Sequence, residues 1–220
     1  MSHAAQRDIA CPRCGHRQPF TIWESINGAN DPALREKVIS GEVFDYHCQQ
    51  CGQVSRVGYP LLYHDPDHHM MIFMAQKDHR EAAQGALEAL LKMPFSPLTQ
   101  GGYTVRAVTQ PPELAEKILI MEHDLDDRVV EMNKLFIHAN YMKDHPDAEI
   151  AHILLLFADQ PRFLIMADKE PLPLSSPFEQ ATYDDIRQKY AAFFPRGMKE
   201  NLFIDLEWAA GMMKPAGRLM

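Results

Sequence analysis

The chain has 220 residues, 46% of them hydrophobic and 24% charged, a composition that fits a folded globular protein of one or two domains and excludes a disordered or fibrous one. No apolar run approaches the roughly eighteen residues needed to span a bilayer, and the N-terminal MSHAAQRDIA lacks the apolar core of a signal peptide, so a cytoplasmic protein without a membrane partner is expected. A formal net charge of −8 repels phosphate backbones and argues against nucleic acid as a partner.

Residues 1–75 read as short extended segments around one helix. Arg17 to Ile26 mixes aromatic and β-branched residues as strands do. Asn30 or Asp31 can then cap a helix at 32–40, with Pro32 in its first turn, Leu34 and Val38 on one face, and Gly41 at its end. Val43 to His47 leads into a cysteine pair. Val54 to Tyr63 and His69 to Ala75, separated by His64-Asp65-Pro66-Asp67, read as a β-hairpin or two adjacent strands.

Asp78 and Glu81 have capping-box spacing for a helix through about Leu91, which Pro94 stops. The Pro, Ser, Thr and Gly of 94–102 mark the expected boundary between a first domain, 1–93, and a second region, 103–220. After a strand at Tyr103 to Val108, Pro111 and Pro112 open a segment in which Leu114, Ile118, Met121, Leu125, Val129, Met132, Phe136 and Ala139 recur at intervals of three and four. That period predicts one long amphipathic helix. Leu119, Val130, Ile137 and Tyr141 lie off the stripe, so the helix should pack between two layers or against a second subunit. Glu149 to Ala158 and Arg162 to Ala167 should form a hairpin. A helix starting near Ser176 or Thr182, a third strand at Phe203 to Leu206 and a terminal helical turn or two at Trp208 to Lys214 complete the reading. The predicted fold class is α+β: an N-terminal zinc-ribbon-like antiparallel β lobe with an inserted short helix, then an α+β lobe with a long helix, a hairpin and a C-terminal helix.

The only four cysteines form two matching motifs, Cys11-Pro12-Arg13-Cys14-Gly15 and Cys48-Gln49-Gln50-Cys51-Gly52. A two-residue gap lets a tight turn aim both sulfurs at one point, and the following glycine accepts a crowded backbone geometry. Two such knuckles supply four thiolates to one tetrahedral ion. Zinc is the expected metal, with iron the minor option. The helix at 32–40 accounts for the long spacing between the pairs. A thiol-disulfide redox pair at Cys11 and Cys14 would need a helix opening just after it, which Gly15 to Pro19 do not provide, and it would leave Cys48 and Cys51 unexplained.

With both knuckles in view, the chain resembles the CpXC domain family of bacterial proteins. The resemblance rests on Cys11, Pro12, Cys14 and Gly15, on the helix Asp31-Pro32-Ala33-Leu34 ending at Gly41, on Cys48 to Gly52, and on Tyr59-Pro60, and covers roughly the first 100 residues. It implies zinc binding by the four cysteines and no known reaction.

Other candidates carry a plainer reading beside the functional one. His64, His68 and His69 with Asp65 and Asp67 can be a second, weak metal site or a hydrated loop. His47 can stand beside the metal or face solvent. Glu122, His123, Asp124, Asp126 and Asp127 form an acidic run in which His123 and Asp127, four apart, can share a helix face or simply be solvated. Ser55, Ser96, Ser175 and Ser176 lack a nucleophile motif and read as loop and cap residues. Trp23, Trp208, Met70, Met71, Met74, Met132 and Met166 read as packing.

Three functions follow. The first is a non-enzymatic structural-zinc protein that contacts a protein partner or a second copy of itself. The second is a nucleic-acid-binding ribbon, with Arg13, Arg17, Arg35, Lys37 and Arg56 as its contacts, though residues 1–75 hold six basic against eight acidic residues. The third is an enzyme using the histidine-rich loop or the acidic run.

Overall fold

The computed structural model describes residues 1–92, 102–168, 170–197 and 199–213. The chain divides into two compact units, Met1–Ile118 and Leu119–Met220. Pro94, Ser96, Lys214 and all but the last residue of the expected boundary at 94–102 lie outside the described residues.

The first unit is built on a five-stranded sheet in the order β1-β2-β5-β6-β7. Its strands are β1 (His3–Ala10), β2 (Arg17–Asn27), β5 (Leu61–Asp65), β6 (Met70–Met74) and β7 (Thr104–Val108). A separate two-stranded ribbon pairs β3 (Asp45–His47) with β4 (Val54–Arg56). The predicted helix at 32–40 is present as α1 (Pro32–Ser40), with Gly41 at φ 81° closing it by donating its N–H to the Val38 carbonyl.

The sheet is mixed, which corrects the expectation of an antiparallel lobe. β1 and β2, and β5 and β6, are antiparallel hairpins, but β2 pairs β5 and β6 pairs β7 in parallel. Parallel neighbours need a crossover. The first crossover carries α1 and the β3–β4 ribbon, and the second carries α2 (Arg80–Leu91). The strand at 104–108, expected to open the second region, therefore completes the first unit's sheet.

α2 follows a short 3-10 turn at Lys77–His79 and has His79 at its N-cap, so Asp78 is not the capping residue that the Asp78-Glu81 spacing suggested. β1 was not expected at all. It is an edge strand exposed along most of its length, so its HAAQRDIA carries no two-residue alternation to read.

The predicted single long helix is two: α3 (Pro111–Glu122) and α4 (Asp127–Asp144). Asp124 sits in the left-handed region at φ 55°, where its N–H donates to the Met121 carbonyl and that of Leu125 to the Ile120 carbonyl. This double bond pattern is a Schellman ending, here built on aspartate instead of the usual glycine. Asp126 then caps α4 by accepting from the Arg128 N–H at 3.0 Å. The hydrophobic period runs almost undisturbed through the break, and no glycine or proline announces it.

In the second unit β8 (Ile150–Leu156) and β9 (Arg162–Ala167) form the predicted hairpin, and the order of the three-stranded sheet is β10-β9-β8. Its third strand is β10 (Leu174–Pro177) and not Phe203–Leu206, whose Leu202, Phe203 and Ile204 are buried without strand pairing. α5 (Gln180–Tyr190) begins after Glu179, at neither expected cap, and α6 (Leu206–Met213) is the terminal helix. α4 packs against β8 on one side and α5 and α6 on others, as its apolar residues off the stripe implied. Val129, Val130, Met132, Ile153, Leu155, Phe163, Ile165, Tyr183 and Ile186 make this unit's core. Among the described residues no helix is long and apolar enough to cross a membrane.

Candidate metal centre

Each cysteine pair sits in the six-residue tip of a hairpin. Residues 11–16 join β1 to β2, with Ala10 and Arg17 as the last pair, and residues 48–53 join β3 to β4, closed by His47 and Val54. The two tips repeat one set of bonds. The Gly15 N–H donates to the Cys11 carbonyl and that of Gly52 to the Cys48 carbonyl, both at 3.0 Å. The Cys11 N–H donates to the His16 carbonyl at 2.8 Å and the Cys48 N–H to that of Gln53 at 2.9 Å. Gly15 and Gly52 take φ of 74° and 68°, the left-handed conformation that side chains disfavour.

These turns bring the sulfurs together across the two ribbons. Cys11 Sγ lies 3.7 Å from Cys51 Sγ, Cys14 Sγ 3.6 Å from Cys48 Sγ, and all four fall within 4.8 Å of one another. Four thiolates about 2.3 Å from a central ion at tetrahedral angles stand about 3.8 Å apart, whereas a disulfide needs about 2.05 Å. The four are free cysteines whose spacing matches the first case. Cys11 and Cys48, the leading residues of each knuckle, are buried, while Cys51 is half-buried and Cys14 exposed. The group can therefore hold a metal ion at the edge of the unit.

The electrostatics show what such an ion would relieve. Cys48 is lowered to about 6 by the backbone N–H groups of Cys51 and Gln50, against burial, and so favours the thiolate. The backbone hydrogen bond at His16 favours a Cys14 thiolate too, but burial and the neighbouring sulfurs outweigh it and push Cys14 up to about 12. A cation among the sulfurs would offset the repulsion that keeps Cys14 protonated.

Sequence reasoning missed the residue that ties the tips together. Gln18, on β2, is 9% exposed. Its Nε2 donates to the His47 carbonyl at 2.9 Å and its Oε1 accepts from the Gln49 N–H at 2.8 Å, so one carboxamide grips the backbone on either side of Cys48. The available signal was a glutamine in phase with Phe20 and Ile22 on the inward side of a strand. Tyr46, fully buried, packs on Phe20 and with Ile9 and Val57 forms the small apolar base beneath Cys11 and Cys48. His47 is exposed and contributes its carbonyl alone to this arrangement.

The remaining candidates are placed as follows. Asp65, 2% exposed, organises the turn after β5 by accepting from the N–H groups of Asp67 and His68 and from His68 Nδ1. His64 bonds the Tyr103 hydroxyl, and burial lowers its pKa. His69, at φ 49°, sets its ring against the same Tyr103 ring in a tilted contact with centroids 5.6 Å apart. In the acidic run His123 bonds the Leu119 carbonyl and stacks on Phe157, while Asp126 serves as the cap of α4. His123 and Asp127 do not share a helix, because the break between α3 and α4 separates them.

The proposed nucleic-acid contacts are largely engaged: Arg35 with Glu36, Lys37 with Glu42 at 2.8 Å, Arg56 with Asp45 at 3.2 Å, and Arg17 with the Asp8 carbonyl at 3.0 Å. Arg13 stands exposed on the first knuckle.

No match was found among curated proteins or among solved structures. Residues 9–134, more than half of the chain and inclusive of both knuckles, match the family described as CpXC protein, and the chain belongs to that family.

Proposed function

We propose that Cys11, Cys14, Cys48 and Cys51 hold one structural zinc ion, and that the protein is a non-enzymatic scaffold that binds a protein partner or a second copy of itself. The observation that carries this reading is the meeting of four sulfurs from two hairpin tips at the spacing of a tetrahedral thiolate site. All-thiolate tetrahedral donor sets favour zinc, with iron the minor alternative, and four protein ligands leave no position for water or substrate. Bound there, zinc would neutralise the thiolates and clip the β3–β4 ribbon to the β1–β2 hairpin.

The apolar base of this region is small, and Tyr46 is its one large fully buried side chain. Structural zinc contributes about 10–16 kcal/mol in small finger peptides, comparable with the whole stability of a domain at about 5–15 kcal/mol. The ion is then a folding requirement for the knuckle region. Circular dichroism and limited proteolysis with and without chelator test this: the reading expects chelation to open residues 1–60 to cleavage, and an unchanged digestion pattern contradicts it. Size-exclusion chromatography with light scattering tests self-association, and a strict monomer across micromolar concentrations removes that part.

A further inference from the structure

The four sulfurs at the hairpin tips are not equally placed. Cys11 and Cys48 are each 3% exposed and Cys51 is half-buried, whereas Cys14 is exposed. A Cβ on Gly15, the next residue, would meet nothing within 4 Å, so the space beside Cys14 is open as well. Oxidation of cysteines follows thiolate character and exposure, so a small oxidant dissolved in water reaches Cys14 first.

The structure also supplies the second sulfur. The four face one another as two pairs, each with one member from either hairpin: Cys14 Sγ stands 3.6 Å from Cys48 Sγ, and Cys11 Sγ 3.7 Å from Cys51 Sγ. A disulfide of about 2.05 Å between Cys14 and Cys48 asks for about 1.6 Å of closure. Cys48 is fixed by the Gln18 bonds to the His47 carbonyl and the Gln49 N–H, so the movement falls to the exposed first knuckle.

We propose that Cys14 is a site of oxidation by hydrogen peroxide, and that the product is a Cys14–Cys48 disulfide that releases the metal ion. The inference rests on the four-thiolate zinc site proposed above and adds a reaction to it. The Cys14 thiolate attacks one peroxide oxygen, the O–O bond breaks, and the departing hydroxide takes a proton from solvent to become water. Cys14 is then a sulfenic acid. The Cys48 thiolate attacks Cys14 Sγ, forming the S–S bond and displacing a second hydroxide, which is protonated in turn. One peroxide is reduced to two waters while the two sulfurs together lose two electrons. Because the resolving sulfur is already in contact, the chemistry stops at the disulfide instead of continuing to the irreversible sulfinic acid. Cys11 and Cys51 remain as two donors where four closed the site, too few to retain the ion. A covalent link then joins the same two hairpins that the ion had joined, and a dithiol reductant with fresh zinc restores the first state.

The test uses the full chain purified under reductant and loaded with zinc, its metal content measured before any oxidant is added. Hydrogen peroxide is then titrated in with a chromophoric chelator at a concentration that leaves the unoxidised protein loaded. The proposal expects release of about one zinc per peroxide consumed, with recovery on treatment with dithiothreitol and zinc. Dimedone present during oxidation should label Cys14 before any other cysteine. Tandem mass spectrometry locates the disulfide: tryptic cleavage after Arg13 and Arg17 separates Cys14 from Cys11, and fragmentation between Cys48 and Cys51 names the partner. A chain that never holds zinc would overturn the zinc reading and this inference with it. A chain that holds one zinc overturns this inference alone if it keeps the ion under peroxide, if dimedone first labels Cys11, Cys48 or Cys51, or if the bond recovered joins Cys14 to Cys11.

Discussion

Replacing Gln18 with leucine tests whether the two hairpin tips are held by the bonds described. Leucine keeps most of the volume and removes both polar atoms, so the His47 carbonyl and the Gln49 N–H lose their buried partner on either side of Cys48. An unsatisfied buried group costs about 1–3 kcal/mol. Water can reach the exposed side of the knuckle and recover part of this, so the two together should cost about 2–3 kcal/mol. At 1.4 kcal/mol per factor of ten, that is a loss of roughly 30- to 150-fold in metal affinity, close to the ~10–100-fold typical when a group supporting the ligands is lost. Competition with a chromophoric chelator reads the affinity directly, and a melt of the metal-loaded protein reads the stability. A leucine variant with wild-type affinity and melting temperature would refute the role assigned to Gln18.

Cys48→Ala should abolish tight metal binding and unfold the knuckle region, seen as new proteolytic cleavage within residues 1–60 while fragments from 119–213 persist. Gly28→Ala should destabilise the first unit by about 1–3 kcal/mol in denaturant melts, because a Cβ there would lie 2.0 Å from the Tyr63 hydroxyl oxygen and 2.6 Å from its ring carbon. Unaltered stability would mean that the two chain segments are not in contact. Tyr59 is pushed up to about 12, mainly by burial, and its hydroxyl donates to the Val43 carbonyl at 2.8 Å. Since its folded pKa lies above its unfolded value of 10.0, its contribution is complete below pH 10 and lost as pH rises towards 12. Stability followed by fluorescence should fall across that window, and Tyr59→Phe should flatten the fall.

The meeting of the four cysteines was legible because its information is local. Each Cys-x-x-Cys-Gly knuckle is a complete turn, and only the distance between the two had to come from folding. α1 was legible for the same reason, with Pro32 and Gly41 at its ends. What escaped was set by tertiary context. The parallel pairing of β2 with β5 depends on a crossover that no short segment encodes, and β10, flanked by prolines in Leu172-Pro173-Leu174-Ser175-Ser176-Pro177, reads as loop until β9 is beside it. The break between α3 and α4 escaped because Asp124 adopts a conformation in which glycine would have been the visible sign.

The most direct measurement on the central claim is metal analysis combined with X-ray absorption on protein purified without added metal. One zinc per chain, with four sulfur scatterers at about 2.3 Å and loss of the ion on replacing any one of Cys11, Cys14, Cys48 or Cys51, is the result expected. Sub-stoichiometric metal, nitrogen or oxygen in the coordination shell, or cysteines recovered as disulfides would contradict it.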